Sequence, residues 1–357
     1  MRAIESTNAV RACLFVGIVT VGCVERYERL EPTVQTSAVA DGVTFDYAYV
    51  GPSTGILRPE PGQTAPLLRP TQVSPELAVG QFAEALQVGP LTRLPRDSIR
   101  RISRFGAGDH RIEVSEDGAL IRYHNGTVLE REATAEPPTR ERSLALAQVL
   151  LDRLDAKGVL QRSEVLSADA VVSYTYKQEG PGGSPGETFR GPLPARKVNT
   201  RVKYYRAVHG IPVSGSFVKV VFADSEEVAI LEVAWRPVLA DATSGGSSTV
   251  TIGKDDARAM FERSLNAESL APGSRVKVLV EELVYDDSEP LDAVNFLEPG
   301  FLFIYIVRTP KLGSVDEFVV SKKLHRFFPV TKHGESKWPS QVAARRAAMP
   351  PLSKRLQ

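Results

Sequence analysis

Three segments with helix signals divide the chain, and each is followed by several segments with strand signals. The first helix is expected to begin at Ser74, a good N-cap residue that directly precedes Pro75. The second is expected over residues 139–156, and the third repeats apolar residues at helical spacing over residues 257–265. One helix followed by antiparallel strands, three times over, predicts an α+β fold of tandem modules, each a helix packed on its own antiparallel sheet.

Alternation and turn signals locate the strands. The pairs Asp117-Gly118 and Asn125-Gly126 readily adopt the positive φ angles of tight hairpins, so each is expected to join two strands. Residues 228–236 alternate between apolar and polar side chains, which directs Trp235 toward a core. Residues 301–307 (FLFIYIV) lack this alternation, and they are expected either to form a central strand covered on both faces or to pair at an interface.

The same patterns divide the chain into six segments. The stretch before Ser74 is rich in proline, glycine, serine and threonine, which is typical of a linker. The predicted organisation is a signal peptide over residues 1–22, a tether and linker over 23–73, a small α+β module over 74–136, two further α+β modules over 139–240 and 250–335, and a basic tail over 336–357.

The N-terminal region has the features of an export signal. Residues 12–22 are almost wholly apolar, a run that matches the core of a signal peptide and is too short to span a bilayer. The run ends at Gly22-Cys23, after which the chain turns polar, and this junction resembles a bacterial lipobox. The resemblance implies lipid attachment at Cys23 and an exported protein anchored to a membrane of the cell envelope. A cleaved signal without a lipid and a buried apolar strand are the alternatives.

Charge and cysteine content exclude several kinds of site. The chain has 44 Lys and Arg against 43 Asp and Glu, so it lacks the overall basic surplus typical of a nucleic-acid-binding protein. Its two cysteines are Cys13 and Cys23, and none follows. The body therefore has no disulfide, no thiolate zinc site and no cysteine nucleophile. We expect no nucleic-acid partner.

No catalytic or metal-binding motif stands out. The five histidines lie far apart in sequence, and no H-E-x-x-H motif occurs. Ser53 and Ser184 each lie in a G-x-S-x-G match, but proline follows soon after each, whereas a nucleophile elbow requires a helix. The sequence therefore predicts a protein that is not an enzyme, with no catalytic residues, no metal site and no cofactor. The histidines are His110, His124, His209, His325 and His333.

An acidic run over residues 286–289, with Asp292 nearby, suggests calcium binding at first sight. It lacks the glycine and the distal glutamate of an EF-hand loop. Pro290 favours instead a solvated turn between two strands, and this is the interpretation that we adopt.

Residues 203–238 resemble the propeptide module of the fungalysin and thermolysin metalloproteases. The matching features are the aromatic pair Tyr204-Tyr205 and the His209–Val213 segment, followed by an alternating strand. Residues 254–331 are similar to the PepSY module that commonly follows it, with an E-L-x-Y strand over residues 282–285. Together these matches cover about half of the chain. They imply that the 139–240 and 250–335 modules have cystatin-like folds.

The resemblance also implies a packing arrangement in the 139–240 module. Trp235 is expected in a core with Tyr204, Val218 and Val220, against the leucines of the preceding helix. Arg206 stands where the propeptide family usually has glutamine, so the resemblance implies that Arg206→Gln has almost no effect on folding.

In their relatives, such modules chaperone and inhibit a protease domain, and we expect no such domain in the given sequence because no H-E-x-x-H motif occurs in it. The sequence therefore predicts a non-catalytic envelope lipoprotein that binds a protein partner, such as an extracellular protease, as an inhibitory or chaperone-like module. Pro212, Gly210, Tyr205 and the loop over residues 180–194 are the expected places of partner contact. The alternative is a structural scaffold or stalk protein that self-associates through residues 301–307. The oligomeric state stays open.

Overall fold

The computed structural model describes residues 32–40, 43–50, 64–95, 102–131, 133–178, 195–239, 247–249, 252–266, 270–287, 296–311, 318–321 and 324–330. Cys23, Ser53, Ser184 and the loop over residues 180–194 lie outside these ranges, as do the signal-peptide and tail segments. Within them, no helix is both long enough and apolar enough to cross a membrane.

Four α-helices and sixteen strands make up the described part of the chain. The helices are α1 (Pro75–Leu86), α2 (Gly126–Glu130), α3 (Arg140–Ala156) and α4 (Lys254–Asn266), and a 3-10 turn covers Arg162–Glu164. The first strands are β1 (Pro32–Ala40), β2 (Val43–Val50), β3 (Thr64–Pro66), β4 (Thr92–Arg93), β5 (Ile102–Ala107), β6 (His110–Ser115), β7 (Leu120–Asn125) and β8 (Val165–Gln178). The others are β9 (Ala195–Val208), β10 (Ile211–Phe222), β11 (Val228–Ala234), β12 (Ser247–Thr249), β13 (Arg275–Asp286), β14 (Pro299–Pro310), β15 (Phe318–Val320) and β16 (Leu324–Pro329).

Local capping explains where the helices begin. The Ser74 hydroxyl accepts a hydrogen bond from the backbone N–H of Leu77 at 3.3 Å, and α1 starts at the next residue, as predicted. The Thr139 hydroxyl caps α3 in the same way. The prediction of a hairpin at Asn125-Gly126 is wrong. The Asn125 side chain instead caps the short helix α2 by accepting from the N–H of Val128, so the chain leaves the sheet there.

Fourteen of the described strands form one mixed sheet with two parts. The first part is antiparallel and has the order β4-β5-β6-β7-β11-β10-β9-β8. The second part contains β1, β2, β13, β14, β15 and β16, with β2 and β13 parallel. Strand β10 belongs to both parts, because its first residues also pair with the end of β13 in parallel fashion. The small remaining sheet is β3 with β12.

The predicted fold class, α+β with tandem cystatin-like modules, is therefore wrong. Among the described residues, strands contain more than twice as many residues as helices, and the strands join in one sheet rather than three. The reason lies in the pairing of β7 with β11, which joins the 74–136 and 139–240 segments edge to edge. A small separate sheet would expose unpaired backbone groups at these edges, and the pairing removes them.

Two main hydrophobic cores lie against this sheet. In the first, α1 and α3 pack on the same face of the eight antiparallel strands, and Trp235, only 3% exposed, lies in this core with Tyr204, Val218 and Val220 as predicted. In the second, α4 packs on β2, β13 and β14, and the Phe261 ring stacks on Phe303 at a centroid distance of 4.5 Å. Strand β14 pairs with β13 on one side and with β15 and β16 on the other, so residues 301–307 form a central strand.

A short extended segment over residues 67–71 connects the two parts. Leu68 exchanges backbone hydrogen bonds with Leu297 at 3.2 and 2.8 Å. Three residues later, the backbone N–H of Thr71 donates to the carbonyl of Pro237 at 2.9 Å. We call residues 67–71 the strap, because its backbone hydrogen bonds reach both the second part, at Leu297, and the first part, at Pro237.

Candidate functional site

A row of charged side chains crosses the sheet face opposite α1 and α3. Neighbouring members are directly opposite each other in register, and such residues project to the same face of an antiparallel sheet. The residues that alternate with them point into the first core, which assigns the row to the outer face. We call the row the charge ladder; it consists of Arg104, Glu113, Arg122, Glu232, Lys219 and Lys203, on β5, β6, β7, β11, β10 and β9.

Ion pairs connect most of the ladder. Arg104 Nε lies 3.1 Å from Glu113 Oε1, and Arg122 Nε lies 2.8 Å from Glu232 Oε1. Lys219 pairs with the other oxygen of Glu232. Burial alone raises the pKa of Glu232, but the charges of Lys219 and Arg122 outweigh it and hold that pKa below its ordinary value. Glu232 is therefore the ionised centre of the ladder.

An apolar row lies beside the charge ladder on the same face. Tyr205 and Phe217 are directly opposite each other in this row, which continues to Ala234 and Leu120. The ammonium group of Lys203 lies 4.3 Å from the centroid of the Phe217 ring and 5.1 Å from that of Tyr205. Lys203 is itself only 3% exposed, so it packs against both rings in the interior while its charge interacts with their faces.

The end of the ladder at β9 and β10 has an excess of positive charge. Lys203 is directly opposite Lys219, an arrangement of like charges that is unfavourable in isolation, and Arg201 follows on the same face of β9. Glu232 is the one acidic member of the ladder at this end. We call Arg201, Lys203 and Lys219, with the rings of Tyr205 and Phe217, the basic end.

The positive charge of the basic end is visible in the sequence of β9. Its fourteen residues include five basic side chains and no acidic one. The net charge of +1 concealed the cluster, because acidic residues elsewhere in the chain balance it. A count of charge along each predicted strand would have found it, whereas the resemblance drew attention to the aromatic pair. The basic residues of β9 are Arg196, Lys197, Arg201, Lys203 and Arg206.

The residues predicted for partner contact lie around one hairpin. Gly210 is exposed and has a φ of 77°, and with His209 it forms the turn between β9 and β10. Pro212 is buried, opposite Ala207. Tyr205 is mostly buried but belongs to the basic end. The structure thus brings Tyr205 together with the cationic cluster, and the contact role of all three residues stays a prediction.

A second group of charged residues is buried where the two parts of the sheet meet. Arg236 is 2% exposed, and its Nε donates to Asp287 Oδ1 at 2.9 Å. Its Nη1 donates to Asp117 in the turn between β6 and β7. Burial alone lowers the pKa of Arg236, but the facing carboxylates of Asp287 and Asp117 outweigh it and raise that pKa. We call Arg206, Arg236, Asp117, Asp287 and Glu164 the junction cluster.

The junction cluster corrects the solvated-turn interpretation of the acidic run at Asp287, while residues 288–292 lie outside the described ranges. Asp287 is 4% exposed, and its second oxygen, Oδ2, accepts from the Ser216 hydroxyl at 3.3 Å. Its backbone N–H donates to the carbonyl of Ser214 at 2.9 Å, which fixes the end of β13 against β10. A carboxylate is tolerated in this position because a buried arginine pairs with it. The sequence could not indicate this pairing, since Arg236 lies 51 residues away.

Arg206→Gln is expected to lower the free energy of unfolding by about 1–3 kcal/mol, contrary to the effect that the resemblance implies. The Arg206 side chain is 1% exposed, donates to Glu164 and to the Arg236 carbonyl at 2.7 Å each, and lies 4.7 Å from the Trp235 ring centroid. Urea denaturation measures the loss, with the exposed Arg140→Gln as the control. If both variants and the native chain unfold at the same urea concentration, Arg206→Gln has almost no effect on folding, as the resemblance implies.

The histidines have local roles in the described part of the chain. His110 Nδ1 lies 2.8 Å from the Tyr123 hydroxyl, and burial lowers the pKa of His124 and of His325. Across the described ranges, no group of three or more His, Cys, Asp and Glu side chains is arranged to hold a metal ion.

No protein family and no curated protein matches the sequence. Among solved structures, the chain is similar to an uncharacterized protein from Eubacterium rectale, with 9% sequence identity and a TM-score of 0.41. The alignment covers 88% of this chain and 97% of that one. A likeness this remote carries no argument about fold or function, so the resemblance to the propeptide and PepSY modules stays a prediction.

Proposed function

We propose that this chain is a protein-binding module of the cell envelope and that an acidic surface of its partner docks on the basic end. The observation that carries the proposal is the row of Arg201, Lys203 and Lys219 on one face of β9 and β10, with both lysines beside the Phe217 ring, in a chain whose net charge is +1. Arginine and aromatic side chains are enriched in protein interfaces, and complementary potentials determine which surfaces meet.

The geometry suggests how docking proceeds. Arg201 and Lys219 are partly exposed, so the carboxylates of a partner can reach them without displacing the ladder. Lys203, Phe217 and Tyr205 are themselves buried, so a partner reaches the rings only if Lys203 moves toward a carboxylate and uncovers them. Charge then accelerates the encounter and the rings add affinity. Inhibition of a protease would follow from steric occupation of its cleft, if the partner is a protease.

The charge-reversal variant Arg201→Glu is expected to abolish recovery of the partner from an envelope extract. Reversal places a carboxylate where an acidic surface must dock, and repulsion between like charges opposes binding. Pull-down with the immobilised chain measures recovery, with Arg140→Glu on the exposed side of α3 as the matched control. Both variants should melt at temperatures close to that of the native chain, and binding should weaken as salt screens the charges. Equal recovery by the native chain and Arg201→Glu contradicts the proposal.

The proposed location depends on a lipid at Cys23. Cys23→Ala is expected to move the protein from the membrane fraction to the soluble fraction, because an acyl chain contributes about 0.8 kcal/mol of membrane binding per buried CH₂. Cys13→Ala is the control and should stay with the membrane. Identical fractionation of the native protein and Cys23→Ala, with no acyl chain found by mass spectrometry, would disprove the anchor.

A further inference from the structure

Strand β8 is the longest strand at an edge of the sheet. It has fourteen residues, ten of which pair in register with β9, and it pairs with no other strand among the described ranges. The opposite edge of this part of the sheet is β4, which has two residues. An edge strand presents alternate backbone N–H and C=O groups that another extended chain can pair with. The length of β8 makes it the best template for such pairing.

The composition of β8 favours pairing. Residues 171–178 (VVSYTYKQ) are mostly β-branched or aromatic, with one lysine and no acidic side chain. Natural edge strands are usually protected by charges, prolines or bulges; in β8 the acidic Asp169 and the longer irregularity lie before Val171, and residues 171–175 have none of these protections. Irregularities interrupt the register with β9 after Leu166 and after Thr175, and between them Val171–Thr175 pairs regularly. Tyr176 is 54% exposed at the end of this regular run.

Charge determines what can pair there. Strands in a sheet lie about 4.8 Å apart, so a strand added to β8 would lie about 10 Å from β9, within reach of its lysine and arginine side chains. Arg201 of β9 is partly exposed and Lys177 of β8 is exposed, whereas Lys203 is buried with its ammonium group over Phe217 and Lys197 lies over the Tyr174 ring. A second copy paired through β8 would place the two β9 strands about 14 Å apart, with positive charge on both sides of the new strand pair and no acidic side chain in residues 171–178 to balance it. The carboxylates of an acidic segment would instead be attracted to this positive charge.

We infer that β8 binds an extended acidic segment of the partner as an additional strand, with its carboxylates interacting with Arg201 of β9 and Lys177 of β8. The inference rests on the proposed function and specifies how the partner binds. Backbone hydrogen bonds to β8 supply affinity, and the carboxylates supply selectivity.

Synthetic peptides test the inference with the full chain. The probe is a labelled peptide of about ten residues in which glutamate alternates with valine or threonine. A second peptide has lysine in place of glutamate. A third keeps the glutamates but is N-methylated at alternate residues, which removes backbone donors without changing charge. Fluorescence anisotropy at low salt measures the affinity of each peptide for the native chain, for Arg201→Glu and for Arg140→Glu.

The acidic peptide should bind the native chain and Arg140→Glu equally, and its affinity should fall at least about tenfold with Arg201→Glu. N-methylation should cause a loss of at least the same size, because a strand needs its donors. The lysine peptide should not bind. Equal binding of the N-methylated and unmodified peptides would overturn strand addition, although the electrostatic docking of the proposed function would survive. Equal binding of the lysine and glutamate peptides would overturn the acidic preference. If no peptide binds while pull-down still depends on Arg201, the inference fails and the proposed function stands.

Discussion

Arg236→Met is expected to lower the free energy of unfolding by about 3–5 kcal/mol, the usual result of removing one partner from a buried ion pair. The substitution keeps the volume of the side chain but leaves Asp287 buried without the guanidinium that neutralises it. It also removes the contact with Asp117, so both parts of the sheet lose the same anchor. Urea denaturation followed by far-UV circular dichroism measures the effect.

Arg140→Met is the matched control, because this arginine lies on the exposed side of α3 and a surface substitution usually changes stability by less than about 0.5 kcal/mol. The double variant Arg236→Met with Asp287→Leu should recover part of the lost stability, since it removes the carboxylate that is left unpaired. If Arg236→Met unfolds at the same urea concentration as the native chain, the junction cluster is not an anchor.

Trp235→Ala should destabilise the chain by about 3–5 kcal/mol, the range found when a large aromatic side chain is removed from a core. The indole belongs to the first core and also lies under the guanidinium of Arg206, so the truncation leaves a cavity and removes a cation–π contact. The loss is a large share of the roughly 5–15 kcal/mol that stabilises a typical domain.

Thermal unfolding measures this second effect, and Trp235→Phe provides the graded comparison because it retains most of the ring contacts. We expect the melting temperature to fall in the order native, Trp235→Phe, Trp235→Ala. An unchanged melting temperature for Trp235→Ala would show that the ring is not part of the first core.

Local sequence signals predicted much of the local structure. Ser74 and Thr139 are helix caps, and side-chain oxygens at such positions satisfy backbone groups whatever the rest of the chain does. The alternation through residues 228–236 placed Trp235 in a core, since a strand with one buried face fixes the direction of every second side chain. The lack of alternation in residues 301–307 likewise marked a central strand.

Pairing between distant strands was not predictable from these signals. The tandem cystatin-like modules were expected because each helix precedes its own strands, but the pattern of a strand does not specify its neighbour. The pairing of β7 with β11 joins residues more than a hundred positions apart. Asn125-Gly126 shows a related ambiguity, since an asparagine suits both a hairpin turn and a helix cap.

The candidate site was hidden for a similar reason. Alternating charges on neighbouring strands form a ladder only when the register aligns them, and each strand alone has an ordinary composition. The exception is β9, whose five basic residues were visible in the sequence. The junction cluster was not predictable because its members are far apart in the sequence. Arg206 and Asp287 also look like surface residues until their partners are known.

The N-terminal strands determine how far the body can extend from a membrane. Strand β1 begins at Pro32 and pairs with β2, which joins the sheet through β13, while the strap fixes residues 67–71 to both parts. If Cys23 carries a lipid, eight residues separate that anchor from Pro32, where β1 begins. A fully extended chain advances at most about 3.6 Å per residue, so the distance from Cys23 to Pro32 is at most about 30 Å. The body would then stay within roughly its own diameter of the lipid headgroups, and a partner would have to approach it at the bilayer surface.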